Sequence, residues 1–135
     1  MRAVVDTNVL VSGLMGNEGP PCRVVMAITA GQIRPVVCAG IVAEYHGVLP
    51  RPRLRIRPDR AAELLALIEQ TAEWVTVPAF AGQPPLPDPD DWPFLAAAQV
   101  AACPLITGNL RHFPAALGVR VMSAREWVEG AGNAG

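Results

Sequence analysis

Lysine is missing from this chain: all 11 basic residues are arginines. A phospho-acceptor domain on an α/β scaffold wants a lysine beside its strand-end aspartate to neutralise the phosphate, so that chemistry ranks low. Set beside abundant Ala, Gly and Pro, the all-arginine usage reads as coding bias of a GC-rich genome and carries little functional weight. Cysteine is scarce, and Cys22, Cys38 and Cys103 are odd in number, widely spaced and without a Cys-x-x-Cys pair. Neither a disulfide framework nor a zinc knuckle follows from that spacing. No His or Cys cluster stands at ligand spacing, which argues against zinc. No apolar run approaches the roughly 20 residues of a membrane span. The start shows no basic region followed by an apolar stretch and a cleavage site, so a cytoplasmic location is expected. Charged residues make up only 17% and the net charge is −1, which gives no bulk field to draw in a polyanion.

What is present is apolar material: 51% of 135 residues, enough for the core of one compact domain. Residues 1–129 read as that domain, and the Gly/Ala-rich stretch 130–135 reads as a frayed, disordered tail. Ala3-Val4-Val5 is a short buried strand ending on Asp6, and Asn8 to Leu14 is a short helical turn. Gly and Pro between Asn17 and Pro21 separate it from a helix through Arg23–Ile28. Arg34–Cys38 reads as a strand and Ala39–Leu49 as a helix ended by Pro50 and Pro52, with Ile41, Val42 and Tyr45 on one side and Glu44 between them. Asp59 starts an amphipathic helix, Trp74–Val77 is a strand, and the Pro/Gly-rich stretch 79–89 is a loop that leads Asp88, Asp90 and Asp91 to the head of a helix over Phe94–Ala102. Strands at Pro104–Thr107 and Val119–Met122 precede a short terminal helix capped by Ser123. Alternating strands and helices predict a three-layer α/β/α fold around a mostly parallel central sheet of about five strands.

In a parallel sheet the carboxyl ends of the strands share one edge, so Asp6, Glu44, Asp91 and the Thr107-Gly108-Asn109 turn can converge although they lie far apart in the chain. Carboxylates in one cleft repel and want a cation. Mg²⁺ or Mn²⁺ takes hard oxygen ligands, keeps several waters, and needs only a few carboxylates plus substrate phosphate. Such an ion activates water and neutralises charge on a cleaving phosphodiester.

These residues carry a resemblance. Val4-Val5-Asp6-Thr7-Asn8, Ile41-Val42-Ala43-Glu44, Asp91 ahead of Phe94-Leu95-Ala96-Ala97-Ala98, and Leu105-Ile106-Thr107-Gly108-Asn109, in that order, resemble the PIN domain. This is the fold of metal-dependent ribonucleases that includes the VapC-like toxins of bacterial toxin–antitoxin pairs. The likeness covers nearly the whole chain. It implies that Asp6, Glu44 and Asp91 are the catalytic, metal-holding acids. Asn8, Thr107 and Asn109 then shape the pocket, and Asp88 serves as a further supporting acid. Where the family frequently has another Asp after the last strand, the corresponding places here hold Asn109 and His112, so one well-bound ion is expected and a second only with substrate. The implied reaction is hydrolysis of an RNA phosphodiester by a metal-activated water. The implied partners are RNA, a small antitoxin protein that covers the acids or inserts an arginine among them, and a second copy of the chain. The apolar helices around Val24–Ile28 and Leu64–Ile68 are candidates for that dimer surface.

Arg51, Arg53, Arg55, Arg57 and Arg60 gather nearly half the positive charge within ten residues. Arg51 and Arg53 are candidate RNA contacts, and so is Arg111, because a guanidinium grips phosphate at two points. His46 and His112 default to structural roles, as do Trp74 and Trp127. Trp92, beside the acids, is a possible substrate or lid contact. The competing function is a catalytically inactive RNA-binding or interaction module on the same fold. Dehalogenase-like phosphotransfer would need an Asp-x-Asp at the first strand, and position 8 is Asn.

Overall fold

The computed structural model describes residues 1–113 and 117–134, with side chains described up to Gly130. The described residues form five strands and six α-helices: β1 Arg2–Val5, α1 Thr7–Met15, α2 Pro20–Thr29, β2 Arg34–Val37, α3 Ala39–Val48, α4 Pro58–Thr71, β3 Glu73–Trp74, α5 Trp92–Ala101, β4 Leu105–Ile106, β5 Val121–Met122 and α6 Ala124–Ala134. The strands make one sheet in the order β3-β2-β1-β4-β5, and every pairing is parallel. With helices on both faces this is the expected three-layer α/β/α architecture.

Strand order decides where a site can form. The chain runs outward from β1 through β2 to β3, then returns to the other side of β1 for β4 and β5. The crevice above the carboxyl ends of β1 and β4 is therefore the switch point, where ligands bind in open α/β sheets. The register places Val5 beside Ile106, so the next residues along, Asp6 and Thr107, emerge together at the mouth of that crevice.

The strands are short and almost wholly apolar because both faces are covered. Ala3, Val4, Val36, Leu105 and Ile106 have no measurable exposure. Helix α5 lies across β1 and β2. Its side chains are mostly small and apolar, with Phe94, Leu95, Ala96, Ala97 and Ala98 all buried and Gln99 and Val100 exposed. Helices α1 and α2 pack closely at Gly13, where a Cβ would come within 2.5 Å of Val25 Cγ2 and 2.6 Å of the Pro21 carbonyl oxygen. At α6, Ser123 and Glu126 cap each other: the Glu126 N–H donates to Ser123 Oγ at 3.0 Å and the Ser123 N–H to Glu126 Oε1 at 3.2 Å.

Several sequence expectations change. The turn over Asn8–Leu14 is a full helix, α1, because nothing in Thr7–Met15 breaks it before Gly16. Strand β3 is only two residues long, and one further backbone bond from Val75 N–H to the Val37 carbonyl (2.9 Å) extends it; Trp74 is half exposed, its indole N–H donating to the Glu69 carbonyl of α4 at 3.3 Å. Helix α6 runs over Ala124–Ala134, and Gly135 lies outside the described residues. Val24, Val25, Ile28, Leu64, Leu65 and Ile68 are buried within the chain itself, leaving of the two proposed dimer stretches mainly Met26, 61% exposed, to face outward. Trp92 is also buried. Its indole N–H donates to the Pro78 carbonyl at 2.7 Å and its ring lies against Phe80, so it anchors the loop before the acids instead of offering a face to substrate. The three cysteines are free and buried. No helix among the described residues is long and apolar enough to cross a membrane.

Candidate functional site

Three polar residues are buried among those described, Asp6, Thr7 and Thr107, and all three sit at the switch point. Asp6 begins α1 but does not cap it with its side chain. Its carboxylate turns across to β4 instead, where the Thr107 hydroxyl donates to Oδ2 at 2.7 Å. That hydroxyl accepts in turn from the Asn109 N–H at 3.0 Å, so Thr107 is oriented from one side and orients Asp6 on the other. Asn8 closes the same turn, its Oδ1 accepting from the Gly108 N–H at 3.1 Å. The backbone ties agree: the Asp6 N–H bonds the Ile106 carbonyl and the Thr107 N–H bonds the Met122 carbonyl, each at 2.9 Å. A buried carboxylate is costly unless something satisfies it, and one hydroxyl does so only in part.

Glu44 reaches the site from α3, where it accepts a hydrogen bond from the Thr7 hydroxyl. The next residue along α3, Tyr45, is fully buried and donates its hydroxyl proton to the carbonyl of Val5, fixing α3 against the end of β1. Asp91 ends the loop and 3₁₀ turn Pro89–Asp91, with His112 Nδ1 3.1 Å from its Oδ2. Asp88 stands at the head of that turn, its Oδ1 accepting from the Asp90 N–H at 3.0 Å.

Burial lifts all three acids above their ordinary values. For Asp6 it outweighs the opposing pull of the Thr107 hydroxyl, the Thr7 amide and the His112 charge. Glu44 is raised by burial, against the Thr7 hydroxyl, with the charges of Asp6, Asp90 and Asp88 adding to the lift. Asp91 is pushed up to about 6, by burial first and then by the charges of Asp6 and Asp88, with His112 opposing. Asp6 thus raises both of the others, which is what a shared acidic pocket does. Among the described residues, His112 is the only positive group among the charges acting on the three acids, and no arginine is among them.

The carboxylates at this edge fit a hard divalent ion, which takes oxygen ligands, and among the described residues no guanidinium acts on them to neutralise their charge. Among the described residues, no three acidic, histidine or cysteine side chains converge closely enough to hold an ion by themselves. Magnesium needs no such cage, since one or two carboxylates with substrate phosphates suffice.

Of the residues singled out in the sequence, Asp6, Asn8, Thr107 and Asn109 are joined by direct hydrogen bonds or shared turns. Glu44, Asp88 and Asp91 are linked to Asp6 or to one another through their charges. Arg51, Arg53 and Arg111 are exposed and do not act on these acids. His46 faces elsewhere and pairs with Glu69 at 3.0 Å. Thr7, Tyr45 and His112 are the site residues that sequence reasoning missed. Thr7 had a usable signal, a hydroxyl directly after a strand-end acid, but its partner Glu44 lies 37 residues away.

No curated protein matches the chain. A family model described as PIN domain matches residues 2–111, from β1 through the Thr107–Asn109 turn and so across every acid described above. With a match over most of its length and the parallel three-layer fold to go with it, the chain belongs to the PIN domain family, whose members are generally nucleases.

Proposed function

We propose that this chain is a Mg²⁺- or Mn²⁺-dependent endoribonuclease that hydrolyses RNA phosphodiesters, and that it is the toxin of a cytoplasmic toxin–antitoxin pair. The observation that carries the reading is the concentration of every buried polar residue described, Asp6, Thr7 and Thr107, at the sheet's switch point beside two further acids. A structural role would not require an aspartate buried this deeply to repel Glu44 and Asp91. A site for a cation and a phosphodiester does.

In this reading Asp6, Glu44 and Asp91 hold the ion, and Asn8, Asp88, Thr107 and Asn109 support them. The bound ion supplies an activated water and neutralises charge on the phosphate. The chain's own residues do the positioning. Thr107 fixes Oδ2 of Asp6. Thr7 holds one oxygen of Glu44 and His112 holds one oxygen of Asp91. Burial around Asp6 lowers the local dielectric, which strengthens its attraction for a cation. An arginine from an antitoxin would find the same carboxylates, and a charge-assisted pair there would block the site. Homodimer formation belongs to this reading as well.

Two observations favour a second reading, an inactive RNA-binding module: Asn109 adds no charge, and among the described residues no three ligating side chains converge. Incubating a mixed single-stranded RNA with the full chain in Mg²⁺ or Mn²⁺, with EDTA and Asp91→Asn controls, separates the two. Cutting that needs both the ion and Asp91 is the expected result. Binding without ion-dependent cutting would move the assignment to the module, and neither binding nor cutting would remove RNA from the account.

A further inference from the structure

Beside the acids, on the other side of the Asn8–Gly108 bond, lies a cleft of about 350 Å³. Its polar lining is Asn8, Ser12, Thr107, Asn109, Ser123 and Arg125, and the rigid Pro20-Pro21 pair at the start of α2 forms an apolar wall. We infer that this cleft is a nucleotide subsite that holds the residue of a single-stranded RNA next to the scissile phosphate, with Arg125 gripping the RNA backbone. The inference rests on the ribonuclease reading above and deepens it.

Adjacency is the first argument. Thr107 and Asn8 belong to both places: the Thr107 hydroxyl bonds Asp6 while the residue lines the cleft, and Asn8 holds the turn between them. A strand whose phosphate lies over Asp6 therefore has its neighbouring nucleotide at the cleft. Charge is the second. An acidic pocket repels RNA except through its cation, so the flanking backbone needs a positive group of the protein's own. No carboxylate lines the cleft, and Arg125 is the one charged residue in it. Arg125 is exposed and, among the described residues, takes part in no ion pair. The neighbouring Glu126 carboxylate is engaged by the Ser123 N–H. Asn109 contributes here too, since an amide in place of a carboxylate leaves the cleft free of a charge that would repel phosphate. Chemistry is the third argument. A guanidinium grips phosphate at two points. The Asn109 amide and the Ser12 and Ser123 hydroxyls can bond base edges or a 2′-hydroxyl, and single-stranded RNA is read through such contacts. The volume lies at the small end of ligand sites, roughly 300–1,000 Å³, which suits one nucleotide.

The test measures affinity of the full chain for a labelled, mixed-sequence single-stranded RNA by fluorescence anisotropy in EDTA, and cleavage of the same RNA in Mn²⁺. Arg125→Ala should weaken binding about tenfold, the size of one charge-assisted hydrogen bond. It should also lower the slope of log affinity against log salt by about 0.7. Arg125→Lys should recover part of the loss, and Arg120→Ala, an exposed arginine outside the cleft, should change nothing. In cleavage, Arg125→Ala should raise KM by a similar factor and leave kcat unchanged. Ser12→Phe, which fills the exposed side of the cleft without touching the core, should weaken binding without altering the salt slope. Affinity that depends on Arg125 supports the subsite whether or not RNA is cut; without cutting, the nuclease reading alone falls. Affinity that ignores Arg125, or no affinity, overturns the subsite, and ion-dependent cutting in that case leaves the nuclease reading standing.

Discussion

Asp91→Asn should make the metal-free protein more stable at pH 8, although it removes a group assigned to the active site. The carboxyl sits at about 6 against an ordinary 3.8, raised by burial and by the charges of Asp6 and Asp88. A raised folded value means that the folded chain holds more protons than the unfolded chain between those two values. Stability therefore falls as pH rises from 3.8 through about 6, and the full penalty persists above that window. At 1.36 kcal/mol per pKa unit the gap is worth at most about 3 kcal/mol. Solvent screening at this partly exposed site leaves roughly 1 kcal/mol. Asparagine carries no charge and can keep a hydrogen bond to His112, so most of that penalty should be recovered. For a chain of this size the gain appears as a melting temperature higher by about 3–5 °C. Thermal melts of both proteins in EDTA from pH 4 to 8 read it directly. The advantage should be largest above pH 7, shrink as pH falls through 6, and be smallest at pH 4, where wild-type Asp91 is protonated in the folded chain and about half protonated in the unfolded one. A variant that is less stable than wild type, or whose difference ignores pH, would refute the reasoning and make Asp91 a structural partner of His112.

Manganese at ten times its dissociation constant should add about 1.4 kcal/mol of stability to the wild-type chain, and Asp6→Asn should abolish that gain in a thermal melt while raising the stability of the metal-free protein. Thr107→Val keeps the shape of a fully buried side chain but strands the Asn109 N–H and Asp6 Oδ2; it should cost about 1–3 kcal/mol by urea denaturation and lower RNA cleavage sharply. Gly13→Ala places a methyl 2.6 Å from the Pro21 carbonyl oxygen, so α1 and α2 must separate, and urea melts should show a loss of about 1–3 kcal/mol.

Strands were legible where burial on both faces left β-branched runs, as at Val4-Val5 and Val36-Val37, and the acid after the first run marked the sheet edge directly. Thr107 was legible for the same reason, standing one residue past the end of β4, whereas Asn8, three residues past the end of β1, was marked by the family resemblance. Trp74–Val77 misled because a valine-rich edge looks like a strand by composition, whereas only its first residues find a partner on β2. Trp92 misled because nearness in sequence to Asp91 says nothing about which way an indole turns, and its N–H had a carbonyl waiting 14 residues back. His112 was read as a bystander since its partner lies 21 residues away, on the far side of α5 and β4 in the chain. Arg125 had no sequence signal at all. The cleft it lines is assembled from α1, the start of α2, the turn after β4 and the start of α6, four segments that no periodicity connects.

The placement of the acids also explains why this edge should be selected for ligand rather than for stability. The crossovers that leave β1 on opposite sides open a crevice at its carboxyl end. An apolar residue at position 6 would bury itself there at no electrostatic cost, and Thr107 would lose only one hydrogen bond. Aspartate instead brings a charge that burial disfavours, that Thr107 offsets in part, and that raises both Glu44 and Asp91. Glu44 and Asp91 are thus each disfavoured by the charge of Asp6, and among the described residues no arginine acts on the three to relieve it. On the proposed function, a cation held with substrate phosphate or a partner's arginine would relieve that cost from outside the fold, and either occupant should stabilise the wild-type chain more than any variant lacking one of the three carboxylates.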